Sequence, residues 1–220
     1  MISPTEENYL KAIFKICEKS DKAASTNAVS AELDTKAASV TDMLKRLAEK
    51  GLINYAKYRG VTLTGEGLIL ATQLIRKHRL WEVFLLEKLD FSWDEVHEIA
   101  EQLEHIQSKE LVERLDNFLG NPKHDPHGDP IPDADGKFTY RKQILLSELR
   151  VGEEGVVVGV NEHSSPFLKY LDQMELVLGA KVKMIERFEY DESSKLFLNN
   201  EKEVLVSAKV SQHIFVQQKD

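Results

Sequence analysis

Imidazoles and carboxylates crowd one stretch of this 220-residue chain: six of its seven histidines lie between His78 and His163. The densest pattern is His97-x-x-x-Glu101-x-x-Glu104-His105, preceded by His78-x-x-x-Glu82 and followed by His124-Asp125-Pro126-His127. On one α-helix, at roughly 100° per residue, positions 97, 101, 104 and 105 fall within an arc of about 100° and are expected to converge on one point. Nitrogen and oxygen donors without thiolate suit a divalent transition metal of intermediate hardness. A single helical His is usually structural, and a Glu run is usually a solvated face. Three helical ligand pairs and a His-rich proline loop in succession point instead to metal binding.

Catalysis is the rival use of such groups. Carboxylate-bridged di-iron enzymes need paired Glu-x-x-His motifs, whereas Glu101-x-x-Glu104-His105 occurs once. The zinc-protease pattern His-Glu-x-x-His is missing, because His97-Glu98 is followed by Ile99-Ala100-Glu101. No Ser-His-Asp arrangement or phosphate-binding glycine loop stands out, so the expectation is a non-enzyme. A winged-helix repressor answering to an organic ligand, with structural histidines, is the third reading.

The elements that must position these groups can be read along the chain. Ser3-Pro4-Thr5-Glu6 opens a helix with a Ser cap, an early Pro and a Glu reaching back. Tyr9, Ile13, Ile16 and Cys17 then recur on one face, with Cys17 a small core residue on that stripe. Thr26 is expected to cap a short helix carrying Val29 and Leu33. Thr35 or Lys36 opens a third, with Val40, Met43, Leu44 and Leu47 inward, and Gly51 ends it. Two strand-like pieces, 52–55 and 61–63, flank a polar turn at Arg59-Gly60. Helix, short helix, helix and hairpin within about 60 residues is the winged helix-turn-helix plan.

A long helix is expected from about Glu66 to Leu89. Ser92-x-x-Glu95 should open another running to about Gln107, and 108–119 a further one. Residues 120–132 hold four of the six prolines and read as a stiff connector. Beyond Phe138, five β-like runs (155–160, 181–186, 195–198, 203–206 and 213–216) suggest a small barrel. His213, in the last of these, reads as structural.

Composition sets bounds. Hydrophobic content of 42% and charged content of 30% describe a globular chain. The net charge of −8 argues against indiscriminate polyanion binding. Between Lys36 and Gly60, however, stand six basic residues and two acidic ones, a local excess of four positive charges. Such a patch on a helix-turn-helix is the footprint of phosphate contacts. Thr35, Lys36, Ser39, Thr41 and Asp42, around the start of the third helix, are candidates to approach base edges or phosphates. Lys57, Tyr58 and Arg59 at the hairpin tip are candidates for backbone or minor groove. The bland alternative is a winged helix that contacts protein, with solvated lysines. The single Cys17 excludes an internal disulfide and a cysteine zinc cage. MISPTEENYL does not read as a signal peptide, and no apolar run is long enough to span a bilayer. The expectation is a cytoplasmic protein with no membrane partner.

Arg76-Lys77-His78-Arg79-Leu80-x-Glu82 and Val96-His97-x-x-Ala100-Glu101-x-Leu103-Glu104-His105 closely resemble the diphtheria toxin repressor family of metal-dependent regulators. Tyr58-Arg59-Gly60-x-x-Leu63-Thr64 is similar to the wing of its manganese transport regulator branch. The resemblance covers nearly the whole chain. It implies a mainly α fold with a small β domain: a winged helix-turn-helix over 1–64, a helical metal-binding and dimerisation domain over 65–120, the connector over 121–140, and an SH3-like domain over 141–220.

It also implies an activating site of Glu101, Glu104 and His105 with Asn8 from the first helix. An ancillary site would use His78, Glu82 and His97, with contributions from the connector and the third domain. His78 lies close enough in the family pattern to serve either site. His127 matches a connector His of streptococcal-type members, and His163 falls where relatives place an acidic ligand. Asp125 stands where some relatives carry Cys, with His124 beside it as the other candidate. Glu101 is Cys in iron-responsive relatives and Glu in manganese-responsive ones. Mn²⁺ is therefore the expected co-repressor, Fe²⁺ the second, with Zn²⁺ and Co²⁺ binding in vitro. Asn8 replaces Asp or Met, and Lys11 replaces a Glu ligand of some manganese sensors, which speaks against their two-metal arrangement. The implied function is repression of metal-uptake genes by a homodimer on palindromic double-stranded operator DNA. The metal would draw the first helix toward the dimerisation helices, and the third domain would clamp the active dimer.

Overall fold

The computed structural model describes residues 2–20, 22–56 and 59–218. It forms two compact units: Met1–His78, Glu101–Arg114 and Ile131–Phe138 in the first, and Arg79–Ala100, Leu115–Pro130 and Thr139–Asp220 in the second.

The first unit opens with α1 (Pro4–Ser20). Its capping box is formed: Ser3 N donates to Glu6 Oε2 at 2.9 Å and Glu6 N to Ser3 Oγ at 3.3 Å. In α2 (Thr26–Glu32) the cap is Ser25, not Thr26, because the Ser25 hydroxyl accepts from Ala28 N. Lys36 precedes α3 (Ala37–Glu49) without a side-chain cap. β1 (Ile53–Ala56) and β2 (Gly60–Leu63) pair antiparallel, Ile53 opposite Leu63. Leu10, Ile13, Val29, Val40, Leu44, Leu47 and Val61 form the core. Each large aliphatic chain buried there contributes about 1.5–3 kcal/mol.

The long helix α4 (Gly65–Leu89) contributes to both units. Gly67 in its first turn lies so close to β1 that a Cβ would sit 1.9 Å from the Leu52 carbonyl oxygen. α5 (Val96–Leu103) is shorter at both ends than the sequence suggests. Glu95 Oε2 does accept from Ser92 N at 3.0 Å, but residues 93–95 form a turn before the helix. At the far end the chain leaves helical geometry where Glu104 turns inward. Residues 104 and 105 therefore follow the helix, and the single convergent face expected for 97, 101, 104 and 105 is not formed. α6 (Lys109–Phe118) follows. The proline-rich segment is ordered: Ile131 is buried, and the Phe138 ring stacks on Phe14 at 5.5 Å.

In the second unit the strands are β3 (Ile144–Leu145), β4 (Glu154–Val160), β5 (Lys181–Arg187), β6 (Ser194–Leu198), β7 (Lys202–Val206) and β8 (Ile214–Gln218). They form one antiparallel sheet in the order β3-β8-β4-β5-β6-β7. Irregularities in β4 at Val157/Gly159 and in β5 at Met184/Glu186 bend it in the manner of β-bulges. This is the small SH3-like β domain. It also contains α7 (Ser165–Met174) and the one-turn α8 (Ala208–Ser211), which the strand pattern concealed. Leu168 and Leu171 of α7 pack with Val157, Met184, Leu196 and Ile214. Trp93 joins that core and donates its Nε1–H to Asp172 of α7 at 2.9 Å.

Candidate metal centre

The sequence-singled residues gather in two places, one in each unit. In the second unit, Glu82 of α4 and Asp125 and His127 of the connector each present a donor atom, all within 4.8 Å of one another. The three are 1%, 5% and 1% exposed. Local hydrogen bonds orient the two connector members. His127 Nε2 donates to the Trp93 carbonyl at 2.7 Å, leaving Nδ1 facing Glu82 Oε1 at 3.8 Å. Asp125 Oδ1 accepts from the backbone N–H of His127 at 2.8 Å and of Asp129 at 2.9 Å. Gly128 at φ +89° lets the connector lie against β4, where a Cβ would stand 2.1 Å from the Val158 carbonyl.

Other expected ligands flank this group. His97 Nδ1 lies 3.1 Å from Glu82 Oε1. His163 is stacked on the His127 ring at 4.7 Å, and its Nε2 faces the Val160 carbonyl, so it supports the group from the side. Of the adjacent pair, Asp125 joins the cluster, while His124 Nε2 is buried without a hydrogen-bond partner. His213, placed just before β8, bonds Asn161 Oδ1 at 2.6 Å through Nδ1.

Electrostatics distinguish the members. Burial works against charge on His127, but Glu82 and Asp125 outweigh it and raise its pKa to about 9. Burial, with Asp129 and Glu82 nearby, pushes the Asp125 carboxyl up, opposed by Arg79. Burial and the neighbouring His127 keep His163 low against the pull of Asp129. Two buried carboxylates and an imidazole oriented by a backbone carbonyl are a donor set for a divalent ion, the outer hydrogen bond fixing the ring. Without an ion, a proton on His127 supplies the positive charge. The residues fit Mn²⁺ or Fe²⁺: oxygen-rich, one nitrogen, no thiolate.

In the first unit, His78, Glu101 and Glu104 also bring donor atoms within 4.8 Å. Here a fourth residue stands among them. Lys11 Nζ donates to Glu104 Oε1 at 2.6 Å, Glu104 Oε2 at 2.8 Å and Glu101 Oε1 at 3.0 Å. His78 Nδ1 lies 2.6 Å from Glu104 Oε2. Burial raises the Glu104 carboxyl, yet His78 and Lys11 more than reverse this and hold it low. His105 turns to a different partner, Glu7 Oε2, at 2.6 Å from Nδ1. Gln107 also donates to Glu7, at 2.8 Å. Asn8 Oδ1 is buried without a hydrogen-bond partner.

Sequence reasoning missed Glu7 as the His105 partner and did not place Lys11 on Glu104. Asn8 drew attention because it matched a ligand position, and Glu7 beside it matched none. Arg79, bound to Asp129 at 3.0 Å and 3.5 Å from Asp125, was likewise missed.

The expected DNA-reading residues occupy the start of α3 and the hairpin. Lys36, Ser39, Asp42 and Arg59 are exposed, while Thr35 and Thr41 are half-buried. Thr41 Oγ1 donates to the Ala37 carbonyl at 2.9 Å, and Asp42 pairs with Lys45 at 3.3 Å. Thr35 is tied to α2, its N–H donating to the Ser30 carbonyl. Lys50, another basic residue of the patch, pairs with Glu6 at 2.7 Å. Lys57 and Tyr58 lie outside the described residues.

Three family models match the chain: "Iron dependent repressor, N-terminal DNA binding domain" over residues 1–61, "Iron dependent repressor, metal binding and dimerisation domain" over 64–133, and "FeoA domain" over 144–218. The iron-dependent repressor IdeR of Mycobacterium leprae is 31% identical over 161 residues, covering 70% of each chain. A probable metal transport system membrane protein of Chlamydia trachomatis is 43% identical over 86 residues, 39% of this chain and only 19% of that one. A solved structure described as a manganese-dependent transcriptional repressor in complex with manganese superposes with a TM-score of 0.86 at 32% identity, covering 97% of this chain and all of that one.

Proposed function

The chain belongs to the iron-dependent repressor family that includes IdeR, and from that premise we propose that it is a metal-dependent transcriptional repressor. It acts as a homodimer on palindromic double-stranded operator DNA, with Mn²⁺ as co-repressor and Fe²⁺ as the second choice. The genes it silences are those of metal uptake. The observation that carries the reading is the buried Glu82–Asp125–His127 group, whose connector members are oriented by the Trp93 carbonyl and two backbone N–H groups. When bound there, the ion would supply to Glu82 and Asp125 the positive charge that the His127 proton supplies without it.

This chain's own residues do the rest. Asp125 and His127 hold the connector in register, Glu82 supplies the helical end of the link, and loss of the His127 proton makes its nitrogen available. Coupling to DNA follows from symmetry, since two recognition helices bind a palindrome only at the right separation. Moving that equilibrium from 1:99 to 99:1 needs about a 10⁴-fold preference of the ion for the competent arrangement. Ser39 and Asp42 at the exposed start of α3 face bases or phosphates, and Lys36 and Arg59 are placed for phosphates.

We read the chain as a regulator and not an enzyme, because the family models that match it include those of a repressor's DNA-binding and metal-binding domains. A DNA partner implies the cytoplasm. Among the described residues no helix is long and apolar enough to cross a membrane.

The decisive experiment is operator binding by fluorescence anisotropy, with chelator and then with Mn²⁺, anaerobic Fe²⁺, Zn²⁺ or Co²⁺ added back. Binding abolished by chelator and restored by Mn²⁺ or Fe²⁺ supports the reading. Binding indifferent to chelator overturns it.

A further inference from the structure

We propose that Lys11 is a built-in cation: its ammonium group takes the place of a divalent ion on Glu101 and Glu104, so each subunit takes its ion only at Glu82–Asp125–His127. This rests on the metal-dependent reading above and specifies where the metal acts.

The geometry is that of a filled site. An ammonium has three N–H donors, and Lys11 Nζ has three carboxylate acceptors, at 2.6, 2.8 and 3.0 Å. Lys11 is 6% exposed and Glu104 0%, so water does not compete for the two Glu104 bonds, whereas the Glu101 side chain is 46% exposed. Glu104 Oε2 also faces His78 Nδ1 at 2.6 Å, and both its oxygens are therefore engaged. A divalent ion entering here would meet a fixed ammonium of like charge and carboxylates already in use. Asn8 Oδ1 offers a lone pair but no charge to compensate.

The mechanical task of an ion at this place is already performed by side chains. Glu101 and Glu104 are tied to α1 through Lys11, and His105 and Gln107 are tied to α1 through Glu7, at 2.6 and 2.8 Å. Lys77 adds a contact of 3.9 Å to Glu7. In this way α1 is joined to residues 101–107 without metal.

The second unit differs. There Arg79 bonds Asp129 at 3.0 Å and the Pro130 carbonyl, and pairs with Asp125 at 3.5 Å through Nε. Asp125, Glu82 and His127 keep their donor atoms within 4.8 Å of one another, with no ammonium group among the described residues bonded to two of them.

The test is the number of Mn²⁺ ions bound per subunit, read from the electron paramagnetic resonance signal of free Mn²⁺ during titration of the full chain. Wild type should bind one. Glu104→Gln and the milder Glu101→Gln should still bind one, and Glu82→Gln none. Lys11→Glu, which exchanges the ammonium for a carboxylate, should bind two. Two ions on wild type, one of them lost in Glu104→Gln or Glu101→Gln, would overturn the role of Lys11 while leaving metal dependence intact. No ion on wild type, or a full complement on Glu82→Gln, would instead overturn the centre proposed for the second unit. The wild-type count and the Glu101→Gln comparison decide the matter even if Lys11→Glu does not fold.

Discussion

Among the residues proposed to hold the ion, His127 is constrained on three sides. Its ring is held by the Trp93 carbonyl at one nitrogen, stacked by His163 on one face, and faces Glu82 with the other nitrogen. Because partners around metal ligands alone are worth about 10–100-fold in affinity, replacing the ligand in His127→Ala should weaken Mn²⁺ binding by at least ~100-fold. Isothermal titration measures this, and an unchanged affinity would remove His127 from the ligand set. His213 differs in kind: it bonds Asn161 at the surface, and the expectation that it is structural agrees with that position. At this scale the sequence was legible wherever a residue's role depends on near neighbours. Asp125 and His127, two residues apart, were singled out together and stand together. Lys11 and Glu104 are separated by 93 positions, and nothing local in either segment announces the bond between them.

Elements set these distances, and Gly128 shows how tightly. It has φ +89°, and the site of a Cβ is filled by the Val158 carbonyl, Gly159 and Arg141. Gly128→Ala should cost more than ~1 kcal/mol of stability, since Ala resists positive φ, and should also weaken Mn²⁺ binding by moving His127. Urea unfolding and ion titration check the two effects together. The turn before α5 gives a pH prediction. Asp94 accepts from Ser92 at 2.7 Å and Ser165 at 2.8 Å and pairs with Lys169 at 3.3 Å. The Ser92 bond, helped by Ser165 and Lys169 against burial, holds its carboxyl below the ordinary 3.8. A lowered folded-state value means stability that is present above 3.8 and lost as pH falls through that lowered value. Asp94→Asn should therefore destabilise by about 1 kcal/mol at pH 7, and thermal melts of variant and wild type should draw together below pH 3.8.

The same scale explains what sequence reading could and could not reach. α1, α3, α4 and the hairpin carry caps, periodic apolar residues or turn glycines, and their limits were read within a residue or two. α7 begins at Ser165-Pro166 and shows only a brief apolar period, which the strand pattern around it does not reveal. The end of α5 is set by Glu104 turning to Lys11 and His78, a tertiary cause that helical periodicity cannot register.

For the whole molecule, the sign of charge and the placement of apolar surface matter most. Phe118 is 66% exposed and Leu89 52%, with Phe118 tilted against Phe84 at 6.4 Å. Exposed apolar groups of this size are candidates for a contact surface, and we propose that the partner subunit of a homodimer covers Phe118. Phe118→Glu should shift the species seen by analytical ultracentrifugation from twice 25.1 kDa toward the single chain and weaken operator binding with it. A mass still twice the monomer would place the subunit contact elsewhere. The only thiol bears on a further property. Cys17 is half-buried on α1, its Sγ 3.7 Å from the Val61 carbonyl, and belongs to neither the Glu82–Asp125–His127 group nor the Lys11–Glu101–Glu104 group. Sulfenic acid formation and disulfide exchange need a thiolate, so oxidants of that class find no handle on the co-repressor pocket. Protein exposed to hydrogen peroxide, cleared of it and reloaded with Mn²⁺ should grip its operator as before, leaving the switch readable under the stress that blinds thiolate sensors.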